Sequence, residues 1–262
     1  MDLGLKGKAA VVTGASRGIG EAIGRGLAEQ GVDVCLVARS KDDLEKVAAD
    51  IKAKTSRRVA THVADLSDPK APAAAVKAAV DAFGRLDILV NNAGATKRGD
   101  FFTLTEEDWA SGFGLKFYSA VRMTRNAWPH LKASKSGAIV NIVGIGARVA
   151  SAEFTIGGSV NSALVNFTKA TADMGQFQGV RVNGLNPGHI HTSRLEVRVK
   201  NTMKAQNITW EEAVKRDVEH LGINRFGDPR EIADLVAYLC SSRAAFINGS
   251  VIDIDGGQTK AL

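Results

Sequence analysis

Short apolar runs alternate with longer segments of helical period along the chain. The runs Ala9 to Thr13, Asp33 to Ala38, Val59 to Val63, Ile88 to Asn91, Ala138 to Val143, Val180 to Leu185 and Val251 to Ile254 read as strands. Several are continuous Val/Ile/Leu stretches, as strands buried on both faces should be. Their alternation with helical segments predicts βαβ units and a parallel sheet, an α/β fold. Asp68-Pro69 and Asp228-Pro229-Arg230-Glu231 each place a capping side chain before a proline at a first helical position. Thr209-Trp210-Glu211-Glu212 reads as a capping box. The stretch from Ser193 to Gly227 is charged, helical in period and without a strand. It predicts either a lid over a site or a solvated surface insertion.

A length of 262 residues with 45% hydrophobic and 24% charged residues suits one globular core. The net charge of +6 is spread through Lys52, Arg57, Lys97, Lys132, Arg198 and Lys204 without interleaved aromatics, which argues against a nucleic-acid groove. Cys35 and Cys240 sit in apolar stretches and read as buried hydrophobes, with neither a disulfide nor a metal site expected. No signal-peptide core follows Met1-Asp2 and no run of 18 apolar residues occurs, so the expectation is a cytoplasmic protein without a membrane partner.

The first strand runs into Thr13-Gly14-Ala15-Ser16-Arg17-Gly18-Ile19-Gly20, and a helical pattern follows to Gln30. Glycines here permit a tight turn and close approach of the backbone to a pyrophosphate, and the helix start offers free amides. With strands on either side, the segment predicts dinucleotide binding. The second strand ends Val37-Ala38-Arg39-Ser40 with no carboxylate for a ribose 2′-OH. Arg39 and Arg17 together suit a 2′-phosphate, so NADP(H) is expected over NAD(H).

The glycine spacing is G-x3-G-x-G, and in this the chain resembles the short-chain dehydrogenase/reductase family. Asp65-Leu66, Asn91-Asn92-Ala93-Gly94, Arg181-Val182-Asn183, Pro187-Gly188-His189-Ile190-His191-Thr192 and Asp255-Gly256-Gly257 match its motifs in order, over essentially the whole chain. The resemblance implies a single-domain Rossmann fold spanning 1–262, with a doubly wound seven-stranded parallel sheet. It further implies adenine beside Asp65 and Leu66, ribose and nicotinamide beside Asn92 and Gly94, and the carboxamide near Ile190 and Thr192, with Ala93, Pro187 and Gly188 also among the cofactor-binding residues. A homotetramer or homodimer built on helices at Lys116 to Ala133 and Asn161 to Gln176, and a small-molecule substrate, are implied as well.

Members of this family resemble one another in a Ser, a Tyr-x-x-x-Lys pair and usually an Asn. Here the two tyrosines, Tyr118 and Tyr238, are followed four residues later by Arg122 and Ser242, so no such pair exists. Counting back from Ser162-Ala163-Leu164 and Thr168-Lys169 puts Asn161 at the Lys position and Gly157 at the Tyr position. Counting on from Ile139-Val140-Asn141-Ile142 puts Gly144 at the Ser position. Counting between Trp109 and Thr124-Arg125 puts Lys116 at the Asn position, although Gly112 and Gly114 disfavour a helix there. Lys116 and Asn161 then resemble a reciprocal exchange that returns an ammonium to the site, the plainer alternative being a surface lysine. His189, His191, Glu153 and Ser159 are further candidates by position. Loss of a general acid costs about 10² to 10⁴ in rate. Three functions therefore stay open: an NADP(H)-dependent oxidoreductase with an atypical proton donor, an NADP(H)-binding regulatory protein without turnover, and a non-redox lyase or dehydratase. On the first, the combined changes Lys116→Asn, Gly144→Ser, Gly157→Tyr and Asn161→Lys should create ketone reduction.

Overall fold

A computed structural model describes residues 2–260 of the chain; residue 1 and residues 261–262 of the 1–262 span lie outside them. Seven parallel strands form one sheet in the order β3-β2-β1-β4-β5-β6-β7. The strands are β1 (Ala9–Thr13), β2 (Asp33–Ala38), β3 (Val59–Val63), β4 (Ile88–Asn91), β5 (Gly137–Ile142), β6 (Val180–Pro187) and β7 (Val251–Ile254). The order reverses between β1 and β4, which opens a crevice at their carboxyl ends, where ligands of doubly wound sheets bind.

Alternation along β1 shows how both faces are filled. Ala10 and Val12 join a core with the helices α1 (Gly18–Glu29), α2 (Lys41–Lys54) and α9 (Pro229–Cys240). Ala9 and Val11 join the opposite core, with α3 (Ala71–Phe83), α5 (Ser119–Ala133) and α6 (Thr155–Gly175). Residues at i and i+2 share a face, so an unbroken apolar strand feeds two cores at once. Cys35 and Cys240 are both buried thiols.

The capping boxes at Thr209 and Asp228 form as the sequence predicts, starting α8 (Trp210–Leu221) and α9. The start at Asp68-Pro69 is corrected. Asp68 Oδ1 accepts from Lys70 N at 2.9 Å in a local turn, and α3 begins at Ala71 with Pro72 in its first turn. The unstranded stretch after Thr192 folds as α7 (Ser193–Gln206) and α8. These two helices share a small core of Leu195, Val199 and Ala213, packed by Met203, Trp210 and Phe226. No helix among the described residues is long and apolar enough to cross a membrane.

Helix also crosses the segment where Gly112 and Gly114 disfavour it. The short helix α4 (Glu106–Gly112) passes into a π-helical turn over Phe113–Tyr118 and then into α5. Gly112 is needed for packing, since a Cβ there would stand 2.6 Å from Ile156 Cγ2 of α6. The aromatic rings of Phe113 and Phe117, at 6.2 Å, and of Phe117 and Phe167, at 6.0 Å, hold the turn from its side. Such turns inside α-helices recur at functional sites, and this one carries Lys116.

Candidate active site

The glycine loop is built for close approach. Gly14 and Gly18 have φ of +66° and +59°, and a Cβ on Gly20 would meet Gly14 O at 2.2 Å. Thr13 Oγ1 accepts from Asn92 N at 2.9 Å and Ala93 N at 3.0 Å, which ties the end of β1 to the loop after β4. Asn92 Nδ2 in turn donates to Thr13 O at 2.9 Å. Arg17 is the N-cap of α1 in extended conformation and makes no capping hydrogen bond with its side chain, so the first amides of α1, from Gly18, Ile19 and Gly20, face the loop. Ser16 precedes them.

The other residues expected to line the site lie at the carboxyl ends of β2, β3 and β6. Arg39 Nη1 stands 3.8 Å from Asp65 Oδ2, and both side chains are exposed. Asp65 Oδ1 accepts from the backbone and the hydroxyl of Ser67, bonds that hold its carboxyl below the usual range with help from the Arg39 charge. Leu66 is buried beside them. After β6, Gly188 packs against Asp255, where a Cβ would meet Asp255 Cα at 2.8 Å. Ile190 pairs with Gly227 in a parallel bridge, with His191 N donating to Gly227 O at 2.8 Å. Thr192 is the N-cap of α7 and lies 3.3 Å from the place a Cβ on Gly18 would take. The loop from Pro187 to Thr192 therefore closes over the glycine loop.

The positions expected to carry chemistry gather at the carboxyl ends of β4 and β5. Lys116 leaves the π-helical turn, lies half-buried against Gly94, and its Nζ donates to Val143 O, the residue before Gly144. Burial, with the charge of Arg194 adding to it, brings the Lys116 ammonium down to about 8. Asn161 is buried, its Nδ2 donates to Gly144 O at 3.4 Å, and its Oδ1 is enclosed without a partner. A buried ladder fixes the helices that deliver these groups: Asn91 Nδ2 donates to Asn141 Oδ1 at 2.9 Å, and Asn141 Nδ2 to Thr168 Oγ1 at 2.9 Å.

Two expectations are corrected here. Gly144 has φ of +122°, so serine at that position strains the backbone. A Cβ on Gly157 would stand 2.0 Å from Phe154 Cζ, because the Phe154 ring covers the glycine. Gly144→Ser therefore strains the backbone, and Gly157→Tyr needs the space that the Phe154 ring holds. Of the other candidates, His189 Nδ1 pairs with Gln258 Oε1 at 2.9 Å, and burial lowers its pKa, which keeps it neutral near pH 7. His191 is exposed, 3.7 Å from Glu196, and Ser159 faces solvent. Glu153 contributes its backbone carbonyl, which accepts from Gly99 N at 3.1 Å.

The sequence reading missed Phe154 and Arg98. The Arg98 guanidinium carbon lies 3.9 Å from the Phe154 ring centroid. For Phe154 a signal existed, since a residue three before Gly157 at a helix start falls on the same face. Nothing in the chain near Arg98 announces its stack.

A family model described as enoyl-(acyl carrier protein) reductase matches residues 14–259. An uncharacterized oxidoreductase of Mycobacterium tuberculosis is 36% identical over 97% of this chain and 93% of its own. An NADPH-dependent reductase of Bacillus subtilis is 32% identical over 97% of this chain and 99% of its own. The structure of L-sorbose reductase from Gluconobacter frateurii, complexed with NADPH and L-sorbose, superimposes with a TM-score of 0.97 at 35% identity, covering 100% of both chains. With a glycine loop, a crevice at the reversal of strand order and a family match over nearly its whole length, this chain belongs to the short-chain dehydrogenase/reductase family and has oxidoreductase relatives.

Proposed function

We propose that the protein is an NADP(H)-dependent oxidoreductase that interconverts a carbonyl compound and its alcohol, with Lys116 as the proton donor and acceptor. The observation that carries this reading is the Lys116 ammonium itself, half-buried beside Gly144 and Gly94 with its pKa brought to about 8. A general acid works best when its pKa lies near the working pH, and an ordinary lysine near 10.4 does not.

The cradle fits a phosphorylated dinucleotide. The free amides of Gly18, Ile19 and Gly20 suit a pyrophosphate, as does the close approach that Gly14 and Gly20 allow. Arg17 and Arg39 supply cations where a 2′-phosphate would lie, and Asp65 with Leu66 flanks the adenine. That an NADPH-dependent reductase and an NADPH-complexed reductase are among the relatives supports the same choice. Asn161 Oδ1, enclosed without a partner, accepts from a ribose hydroxyl in this reading. When bound, NADPH supplies the hydride for the carbonyl carbon. Lys116 Nζ gives its proton to the carbonyl oxygen, leaving a neutral amine that is reprotonated from solvent. Pro187, Gly188, Ile190 and Thr192 hold the carboxamide side, and Ala93 and Gly94 leave room for the ring.

Tyr118, just before α5, Met174, on α6, and Phe177, just after it, face solvent at 48%, 48% and 92% exposure. These apolar surfaces support a homodimer or homotetramer across that face. Two buried unpaired thiols suit a reducing compartment such as the cytoplasm. The function is tested by following NADPH oxidation against a panel of carbonyl compounds in the unmodified protein and in Lys116→Met. Reduction that requires Lys116 is the expected result. NADPH binding with no turnover on any carbonyl would favour a cofactor-binding regulator instead.

A further inference from the structure

A second group of cations gathers at the opposite end of the sheet from the glycine loop. Lys8 stands just before β1, Lys135 and Ser136 just before β5, and Arg181 near the start of β6. Together with Ser242, after α9, they line one cavity of about 250 Å³ to which no carboxylate contributes. The strand β1 is five residues long. At a rise of about 3.3 Å per residue, its length puts about 15 Å between this cavity and the cofactor cradle.

Contacts fix these groups at the cavity wall. Lys8 Nζ donates to Ser136 Oγ at 3.3 Å. Arg181 Nη1 and Nη2 donate to Ile247 O at 3.2 Å and Ser241 O at 3.0 Å, which holds the guanidinium in place, leaves N–H groups unspent and keeps its full charge. Gly179, at φ of +69°, lets the start of β6 pass close to Lys135, since a Cβ there would stand 3.3 Å from Lys135 O. Gly137 N donates to Gly179 O at 2.9 Å and ties the two segments together.

None of Lys8, Lys135 and Arg181 has a carboxylate within ion-pair distance among the described residues. Asp87, the carboxylate that acts on Lys8, is buried and already engaged. It accepts from Ala9 N at 2.9 Å and from Arg85 at 2.8 and 2.6 Å. Lys8 and Arg181 are both partly buried, and burial lowers the pKa of each, with Asp87 opposing at Lys8. Lys135 adds an independent observation. It follows the end of α5 with φ of +58°, in the left-handed region that glycine enters freely and lysine does not. Strained residues of this kind cluster at binding sites.

We infer that this cavity binds a small phosphate-bearing metabolite, separately from the cofactor and the substrate. Lys8, Lys135 and Arg181 supply the charge for a dianion. The guanidinium and the hydroxyls of Ser136 and Ser242 supply directed donors for its oxygens. Gly137, Gly179 and Ala245 leave a short apolar wall for a carbon chain. Pockets for drug-sized ligands hold about 300 to 1,000 Å³, so this one suits a ligand of a few carbons. The site is independent of the carbonyl-reducing reading.

The test is calorimetry on the NADP+-saturated protein, in which the glycine loop is already occupied. The probes are inorganic phosphate, glycerol 3-phosphate, and succinate as a dianion without phosphorus. Phosphate and glycerol 3-phosphate should bind the unmodified protein, the latter more tightly, and succinate about tenfold more weakly. Lys8→Met should weaken glycerol 3-phosphate binding about tenfold or more. Lys135→Gly should weaken it about threefold, as suits an exposed cation, while raising the thermal midpoint because glycine fits the left-handed turn. A misfolded variant would instead lose both affinity and midpoint. The two changes together should abolish measurable binding and leave NADP+ affinity within about twofold, as expected of distant sites. The inference is overturned if the unmodified protein binds neither phosphate compound, if succinate binds as tightly as glycerol 3-phosphate, or if the double variant binds like the parent. Turnover enters none of these readings, so failure of this site and failure of the oxidoreductase reading are seen separately.

Discussion

The Phe154 ring occupies the space that a side chain on Gly157 would need, reaching within 2.0 Å of the position of its Cβ. These two residues stand one helical turn apart at the start of α6, so the smallness of one and the bulk of the other form a single packing solution. Gly157→Ala should therefore destabilise the fold by about 1 to 3 kcal/mol as an overpacked site. In a Phe154→Ala background the same change should cost little. Denaturant unfolding of the two single variants and the double variant measures this as a coupling. Additive effects would mean that the ring does not cover Gly157.

A tyrosine at residue 157 accordingly requires Phe154→Ala as well. Even then Gly144→Ser should cost about 1 to 3 kcal/mol, because φ of +122° is a region side chains avoid. Ketone reduction that relies on a tyrosine, independent of Lys116, is thus expected only from a set that combines Gly157→Tyr, Asn161→Lys and Phe154→Ala with Lys116→Met while leaving Gly144 in place. NADPH consumption with an activated ketone, compared between this set and Gly157→Tyr with Lys116→Met alone, checks the statement.

Cofactor choice rests on Arg17 and Arg39, the latter 3.8 Å from Asp65. Charge-assisted hydrogen bonds contribute about 1.5 to 3 kcal/mol each, so losing one should weaken NADPH binding by roughly 10- to 100-fold. Arg39→Asp should do this while leaving NADH affinity nearly unchanged. Calorimetry that finds NADH bound as tightly as NADPH by the unmodified protein would refute the assignment.

How much of this was legible in the sequence differs element by element. Several strands hold continuous Val/Ile/Leu stretches, and β1, β2, β4 and β5 are buried at every position, which makes such runs hard to misread, whereas β3, Val-Ala-Thr-His-Val, is partly exposed. The cradle was readable because its glycines are demanded by backbone contact, as Gly20 against Gly14 O illustrates. Lys116 could be placed only by counting between motifs, and its surroundings could not be foreseen. Gly112 and Gly114 argued against a helix by propensity, yet packing of Gly112 against Ile156 outweighs a cost of about 1 kcal/mol. The Arg98 stack is a tertiary fact: residues 98 and 154 share no spacing that a local pattern could reveal.

Assembly has its own measurement. If the face formed by α5, α6 and their flanking turns buries Tyr118, Met174 and Phe177 against a second copy, light scattering at micromolar concentration should report a multiple of 27.7 kDa. Phe177→Asp with Met174→Asp should shift it toward the monomer. A monomer from the unmodified protein would contradict the proposed face.

The pH dependence has a defined sign. Lys116 donates a proton only while it is an ammonium, and its pKa is about 8. Carbonyl reduction should hold level below pH 8 and fall about tenfold per pH unit above it, while alcohol oxidation should rise toward pH 8 and then level. His189 is held neutral across this range, so His189→Gln should leave the limb where it is.

The central claim, hydride transfer with Lys116 as acid, is tested most directly by tracing deuterium from NADPH labelled at the reactive carbon into the alcohol product. The experiment uses a panel of neutral and anionic carbonyl compounds at pH 7, with the unmodified protein and Lys116→Met side by side. The account predicts deuterium in at least one product of the unmodified protein, and a loss of about 10² to 10⁴ in the rate of its appearance with Lys116→Met, NADPH affinity being retained. Deuterium appearing at the same rate in both proteins, or in neither with any carbonyl offered, would contradict it.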